Sequence, residues 1–463
     1  MRKTKIVATL GPASSSDDMI LNLINEGVDI FRLNFSHGDH FSHLENLEKI
    51  RRLSAKAGRF VGVLQDLGGP KIRLLEVNEP FDLHSGDKVI FRKGISTCSR
   101  EYLCINHPEI LDCLTVGSRI YIADGLVRLE VTKIDGDTVE TKVLVGGRIS
   151  SKKGVNFPNV NLNIPAITDK DRGDVLFAIK HEFDYVAMSF VKTREDVLEL
   201  KQFIKDKGGD IPVIAKIEKH EAIKDIDAII DVSDGIMVAR GDLGVEIELE
   251  KVPVIQKMII SKANAKNKPV ITATQMLNTM VNLPRPTRAE VSDVANAVLD
   301  GTDAVMLSDE TAAGLYPIES VQVMKRTIIE AESIYSFYQN RDIDHRFAIP
   351  YSAVELSKNT GIDKIVVFTS TGASAIRTSY FRPRGSIIAN VTDIRVARRL
   401  SLVWGVNPNM LVLVSDDSDG LVSDFVSKAL SDGILQKGEK IIVVMGFPAG
   451  VPGTTNLLRI LEV

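Results

Sequence analysis

Residues 211–218 read I-P-V-I-A-K-I-E, and residues 234–244 read D-G-I-M-V-A-R-G-D-L-G. Each begins as a short apolar run without polar alternation, the pattern of a strand buried on both faces. Each ends in charge: Lys216 and Glu218 close the first run, and Arg240 and Asp242 close the second. Two such runs in succession predict neighbouring parallel strands with an ammonium and two carboxylates gathered at one end.

The same texture occurs eight times, at 4–9, 28–33, 60–65, 185–189, 213–216, 235–239, 269–273 and 304–307. Among them, 17–26, 40–56, 193–206, 252–266, 288–299 and 318–335 carry apolar residues at helical intervals of three and four. Strand followed by helix, eight times, predicts an α/β fold built on a closed (β/α)8 TIM barrel. An open doubly wound sheet is the alternative reading of the same alternation. The rhythm stops between Asp66 and about Asn163. There 81–91, 119–123, 126–134 and 138–145 read as short strands, with Asp124-Gly125, Asp135-Gly136 and Gly146-Gly147 as turns. An interruption of this length exceeds any ordinary loop and predicts a small β-barrel lid domain inserted after the third strand. Beyond the eighth unit, 364–368, 386–389, 410–414 and 440–445 are strand-like, and 456–463 suits a final edge strand. The polar stretch 339–346 leads into this second, doubly wound α/β unit. The expected domains are therefore 1–67 and 163–344 for the barrel, 68–162 for the lid and 345–463 for a C-terminal regulatory unit.

Among the 463 residues the formal charge is −4 and the basic residues are scattered, which argues against nucleic acid and anionic membranes as partners. The densest basic run in the second half, 395–399 (R-V-A-R-R), suits a phosphorylated small molecule or a subunit contact. No apolar stretch is long enough to span a bilayer, and the N-terminus runs straight into the first strand, so no leader is expected. Cys98, Cys104 and Cys113 form no CxxC pair and point to reduced thiols in a cytoplasmic protein. His37, His40 and His43 are spaced three apart, but two of them read as ordinary surface histidines at the start of a helix. His37 belongs to the rim.

In a barrel, residues at the C-terminal ends of the strands meet above the core. Here these are Arg32, Asn34 and Ser36, then Asp66 and Arg73, Lys216 and Glu218, Arg240 and Asp242, Thr274, and finally Ser308 and Glu310. Carboxylates without neighbouring Cys or His ligands suit Mg²⁺ or Mn²⁺. Arg32 and Arg73 offer rigid forks for phosphate, and Lys216 offers a point charge for a transferring oxygen or an enolate. The backbone of R-G-D-L-G, with Gly241, can approach and bind a carboxylate. Phosphate, carboxylate and metal chemistry are indicated together.

Nine segments carry a resemblance to a known family. They are T-K-I-V-A-T-L-G-P-A-S at 4–14, R-L-N-F-S-H-G at 32–38, G-P-K-I-R at 69–73, S-K-K-G-V-N-F-P at 151–158 and A-K-I-E at 215–218. The rest are M-V-A-R-G-D-L-G-V-E at 237–246, A-T-Q-M-L at 273–277, P-T-R-A-E-V-S-D-V-A-N-A-V at 286–298 and L-S-D-E-T-A-A-G at 307–314. The chain resembles pyruvate kinase from end to end. The resemblance implies transfer of the phosphoryl group of phosphoenolpyruvate to ADP, giving ATP and pyruvate, the last step of glycolysis. It implies that Arg32 binds the substrate phosphate, that Lys216 neutralises the phosphoryl group and enolate, and that Glu218 and Asp242 hold Mg²⁺, with a second ion arriving with ADP. Backbone around Arg240 and Gly241 would receive the substrate carboxylate with Thr274. Arg73, Asn34 and His37 would face the nucleotide, and Ser308 and Thr274 would serve the protonating relay. A barrel lyase or aldolase acting on pyruvate or oxaloacetate is the rival enzyme reading, and a catalytically inactive metabolite sensor is the non-enzyme one.

Two further expectations rest on the residues and the resemblance together. Thr369, Ser370, Thr371 and Ser374, hydroxyls at a helix start, would grip the phosphate of an allosteric effector. The facing loop 446–453 is short of cations, which favours a monophosphate over a bisphosphate. The family assembles as a homotetramer. Potassium-dependent members read D-T-K-G-P-E-I-R-T where 66–74 here reads D-L-G-G-P-K-I-R-L. Asn34, Ser36, Asp66 and the Leu67 carbonyl could still form a K⁺ cage, but Lys71 brings an ammonium to the place where the cation acts. Activity without K⁺ is expected.

Overall fold

Periodicity of two along buried strands produces the architecture. The structure, a computed structural model, describes residues 2–160, 164–411, 417–447 and 453–463. Its parallel strands β1 (Lys5–Thr9), β2 (Ile30–Asn34), β3 (Gly62–Asp66), β4 (Tyr185–Met188), β5 (Val213–Ile217), β6 (Gly235–Ala239), β7 (Val270–Ala273) and β8 (Ala304–Leu307) close into a barrel. Closure is made by β1, which pairs with β2 on one side and with β8 on the other. Successive side chains leave opposite faces of a strand. One set, including Ile6, Ala8, Phe31, Leu33, Val63 and Val238, packs against the surrounding helices. The other, including Val7, Ile30, Leu64, Ile214, Met237, Ile271 and Met306, forms the inner core.

Local signals fix the helices. The Ser16 hydroxyl caps Asp17–Glu26, which ends at Gly27 with φ 114°. Capping boxes built on Asp39 with Ser42 and on Thr287 with Glu290 start His40–Lys56 and Arg288–Leu299. The lid has its own apolar core, containing Val89, Phe91, Leu103, Ile120, Val127, Leu129, Val143 and Phe157. Its largest sheet has six strands, with Val127–Asp135 and Thr138–Val145 forming the central hairpin. The expected strand at 81–91 is two strands. Phe81–Leu83 pairs with Gly147–Ile149, whereas Lys88–Arg92 pairs with Thr138–Val145. Between them Gly86 takes φ 94° and Asp87 N–H donates to the His84 carbonyl, so the chain turns.

The C-terminal sheet runs in the order Val406–Met410, Ser386–Val391, Lys364–Phe368, Lys440–Gly446 and Thr455–Glu462, the last antiparallel. The strand expected at 410–414 lies earlier, at Val406–Met410; residues 412–414 fall outside the described residues. That strand is an edge, where Pro408 costs no ladder hydrogen bond on its open side. This unit sits under the N-terminal mouth of the barrel. Lys3 and Lys5 donate to the carbonyls of Gly385 and Val406 at 2.6 Å each, and Arg382 pairs with Asp303 at 2.9 Å. Leu402 enters the inner core of the barrel itself. At the same face, a Cβ on Gly62 would stand 2.9 Å from the Arg398 carbonyl, so the contact requires glycine. The run 395–399 is spent locally: Arg395 pairs with Asp393, and Arg399 with Asp210. No described helix is long and apolar enough to cross a membrane.

Candidate functional site

The inward parity that fills the barrel continues past the strand ends in polar residues. Ile30 is followed two and four positions on by Arg32 and Asn34, Leu64 by Asp66, Ala187 by Ser189, and Ile214 by Lys216 and Glu218. These side chains therefore converge at one rim. Lys216 Nζ lies 3.0 Å from Asp66 Oδ1, 2.9 Å from Glu218 Oε1 and 2.7 Å from Ser189 Oγ. Asp66 Oδ2 receives Arg32 Nε at 2.6 Å, and Arg32 also donates to Thr9 Oγ1 at 3.1 Å. Glu218 Oε2 accepts the Phe190 N–H at 2.7 Å.

The charges set one another. Burial pushes the Asp66 carboxyl up, but Lys216 and Arg32 outweigh it and hold it at about 2. Burial would strip Lys216 of its proton; Asp66 and Glu218 reverse this and keep it an ammonium. Asp242, on the helix Arg240–Glu246, is pushed up to about 6 by burial and by the Glu218 charge, with Lys216 and Lys71 opposing. Its carboxylate has no hydrogen-bond partner among the described residues. A buried and a half-buried carboxylate repelling one another, the second of them unpartnered among the described residues, fit a divalent cation.

Thr274 and Gln275 follow β7 in left-handed conformations, φ 68° and 53°, a strained state for a β-branched residue. Arg240 holds that turn. Its guanidinium donates to the Thr274 carbonyl at 2.7 Å and pairs with Asp293 at 2.7 Å. The Arg240 side chain is thus a scaffold, and only the backbone of its segment faces the rim: Gly241 N–H meets Thr274 Oγ1 at 2.7 Å. Ser308 Oγ is buried with no hydrogen-bond partner among the described residues.

Between rim and lid lies a cavity of about 410 Å³ lined by His37, Lys71, Arg73, Lys152, Lys153, Lys219 and Asp242, among others. Its excess of cations suits a polyphosphate. Burial, then Lys71, Arg73 and Arg32, hold His37 below the usual imidazole range, as a neutral ring. Lys71 is half-buried, its ammonium disfavoured by burial and Lys216 and favoured by Asp242, Glu218 and Asp66, so it faces the acidic cluster. Of the four groups of the expected K⁺ cage, all but Ser36 Oγ have an oxygen engaged by the protein. Asn34 Oδ1 accepts Ser36 N–H at 3.1 Å, the Leu67 carbonyl accepts Ser189 Oγ at 2.7 Å, and Asp66 is taken by Arg32 and Lys216.

The other histidines are structural. His40 pairs with Asp174 at 2.7 Å, and His43, expected at the surface, is buried and stacked on Phe35 at 4.0 Å. A potential metal-holding cluster exists at His220, Glu221 and Glu246, whose ligand atoms lie within 4.8 Å of one another. Lys219 already occupies Glu246 at 2.6 Å. In the C-terminal unit, Thr369, Ser370, Thr371 and Ser374 line a second cavity of about 430 Å³. Arg377 lines it too, supplying a cation that the sequence reading did not find there. Residues 448–452 of the facing loop lie outside the described residues. Thr9, Ser189, Phe190 and Lys219 were also missed at the rim; inward parity on β1 and β4 is the signal that locates the first two.

Comparison with known proteins identifies the family. The family model described as "Pyruvate kinase, barrel domain" matches residues 1–321, and the one described as "Pyruvate kinase, alpha/beta domain" matches 348–461. A pyruvate kinase of Geobacillus stearothermophilus is 42% identical over 473 residues, spanning 99% of this chain and 80% of the relative. Pyruvate kinase 2 of Synechocystis sp. is 44% identical, spanning 99% and 79%. The crystal structure of a pyruvate kinase from Cryptosporidium parvum is similar at TM-score 0.94 and 37% identity, covering 100% of this chain and 96% of that one.

Proposed function

The chain belongs to the pyruvate kinase family and is a phosphotransferase of that type, and on that premise we propose which of its residues carry the transfer from phosphoenolpyruvate to ADP. The observation that carries the reading is the buried Lys216 ammonium, held between Asp66 and Glu218 beside Asp242, at the mouth of a cationic cavity. Arg32 binds the substrate phosphate, its fork aimed by Asp66 and Thr9. The backbone of residues 239–242 receives the substrate carboxylate together with Thr274, whose Oγ1 accepts the Gly241 N–H before substrate binds. Arg73, with Lys71, Asn34 and His37, binds the phosphates of ADP.

In the reaction the bond from phosphorus to the enol oxygen breaks, and a bond to a β-phosphate oxygen of ADP forms. Lys216, fixed as an ammonium, stabilises the charge moving onto the enolate oxygen. The enolate then takes a proton at its methylene carbon to become pyruvate. Ser308 Oγ, unpartnered among the described residues, orients the water that delivers it, and Thr274 assists by position, since a threonine hydroxyl is a weak acid. Glu218 and Asp242 are the residues that would hold Mg²⁺ or Mn²⁺, which when bound neutralises the repulsion between the two phosphates.

Lys71 stands in for a monovalent cation, supported by its half-buried place facing the acidic cluster and by the donors on Asn34, Asp66 and Leu67, three of the four members of the cage that also includes Ser36. The cavity at Thr369, Ser370, Thr371 and Ser374 takes a phosphorylated effector, a monophosphate by its single lining arginine, Arg377. Assembly as a homotetramer completes the reading. The decisive assay is ADP-dependent pyruvate formation in tetramethylammonium buffer, with and without KCl at constant ionic strength. Pyruvate formed without ADP would favour a lyase instead.

A further inference from the structure

We propose that Glu246 is the positioning residue that braces the two carboxylates of the metal site and seats the lid on them, an inference that rests on the site assignment above. Glu246 ends the short helix whose first turn carries Asp242, one helical turn earlier on the same element. Its side chain is 2% exposed. Oε1 accepts Lys219 Nζ at 2.6 Å and Asn156 Nδ2 at 3.3 Å, and Oε2 lies 3.6 Å from His220 Nδ1. Burial pushes its carboxyl up, but His220, Lys219 and Asn156 bring it below the usual range, so it is ionised at neutral pH.

Those three partners come from two separate segments of the chain. Lys219 and His220 directly follow Glu218 at the end of β5. The Lys219 ammonium also stands over the Phe190 ring, 5.7 Å from its centre, and the Phe190 N–H is the donor to Glu218 Oε2. Phe190 takes φ 56° to make that bond, and a Cβ on Gly69 would stand 2.7 Å from its ring, so the ring is fixed from the lid hinge as well. Asn156 comes from the lid, in the strand Val155–Asn156. A second lid element lands on the same helix: a Cβ on Gly125, in the turn after 119–122, would touch Val245 Cγ1 at 3.9 Å.

Glu246 therefore ties the segment bearing Glu218 to the helix bearing Asp242 and attaches the lid to both. With the lid seated, the spacing of the two carboxylates and the roof of the nucleotide cavity are set by one buried anion. Nothing in this arrangement touches the reacting atoms, so its effect belongs to the binding of ADP and metal.

The test is a double-mutant cycle on Asn156→Ala and Glu246→Gln, with Glu246→Asp as the conservative variant. Loss of one hydrogen bond to a buried carboxylate raises the KM for ADP about tenfold in Asn156→Ala, while kcat and the KM for phosphoenolpyruvate stay within about twofold. Glu246→Gln raises the KM for ADP and weakens Mn²⁺ binding, read by electron paramagnetic resonance, each about tenfold. Adding Asn156→Ala to Glu246→Gln then costs less than Asn156→Ala alone, because the charge that strengthens the shared contact is already lost. Glu246→Asp recovers part of both. Additive effects in the double variant, or parallel losses in kcat and both KM values that track a fall in Tm, would overturn the proposal. A wild-type enzyme that forms pyruvate without needing ADP would instead remove the site assignment beneath it.

Discussion

Replacing Asp66 by Asn tests the electrostatics of the rim most directly. The substitution keeps the shape of the side chain and removes the one charge that both Arg32 and Lys216 use, at 2.6 and 3.0 Å. The carboxyl is held at about 2, against an ordinary 3.8. At about 1.36 kcal/mol per pH unit, that difference is on the order of 2–3 kcal/mol of favourable interaction in the folded state. In Asp66→Asn two buried cations face a neutral amide, so the variant is expected to be about 2–3 kcal/mol less stable at pH 7 by guanidinium unfolding. The sign with pH is fixed. A depressed carboxyl contributes fully above its unfolded value, and the contribution fades as pH falls from about 3.8 through about 2. The gap between wild type and variant should therefore hold down to about pH 4 and close below it. Loss of aim in Arg32 and Lys216 lowers kcat at least about tenfold. A variant within about 0.5 kcal/mol of wild type at pH 7 would refute the assignment of Asp66 as the shared counter-charge.

Lys216→Ala should lower kcat by about 10²–10⁴-fold with little change in KM, and a kcat within about threefold of wild type would remove Lys216 from the transition state. Asp242→Asn should abolish both Mn²⁺ binding and phosphoryl transfer; intact metal affinity would move the ligand role elsewhere. The wild type should run without K⁺ and Lys71→Glu should acquire partial K⁺ dependence, whereas more than about tenfold activation of the wild type by KCl would reject the role given to Lys71. Burial lowers the Lys5 ammonium from 10.5 to about 8, with Asp29 opposing. Between those values the unfolded chain holds the extra proton, so stability should rise with pH across that window and rise less in Lys5→Met; identical slopes in urea titrations at pH 8 and 10 would contradict it.

Much of this was legible because burial on both faces leaves an unmistakable mark. The runs that became β6 and β8 carry no polar residue to blur their ends, and 17–26, 40–56 and 288–299 have caps that pin both termini. Collecting strand-end residues also brought Arg32, Asp66, Lys216 and Glu218 to one rim without knowledge of contacts. What failed did so where tertiary packing overrides local pattern. Arg240 looks like its rim neighbours in sequence, but only the strained turn at Thr274 shows that its fork is used behind the site. Ser189 was passed over because one hydroxyl after β4 has no distinguishing neighbours; its value lies in the Lys216 ammonium 2.7 Å away. His43 is hydrophilic by composition and buried by an aromatic stack. The apolar run starting at Met410 outweighed V-N-P-N, although an edge strand tolerates Asn and Pro.

The pairing of Lys5 with Ala304 across the barrel seam means that the first strand leaves the ribosome long before its partner exists. At about 5–20 residues per second of synthesis, the wait is tens of seconds. During that time the N-terminal segment is an unpaired strand edge, the kind of surface that recruits other nascent chains. Arg2, Lys3 and Lys5 make that edge cationic while it waits. The same lysines later become anchors for the α/β unit that follows the barrel, donating to Gly385 and Val406. Leu402 then seals the inner core from below, so barrel maturation is completed only when the carboxyl-terminal third has been translated. A message truncated after the eighth strand would yield a barrel with an open floor and two lysines, Lys3 and Lys5, without their carbonyl acceptors, while Arg2 would still pair with Asp29.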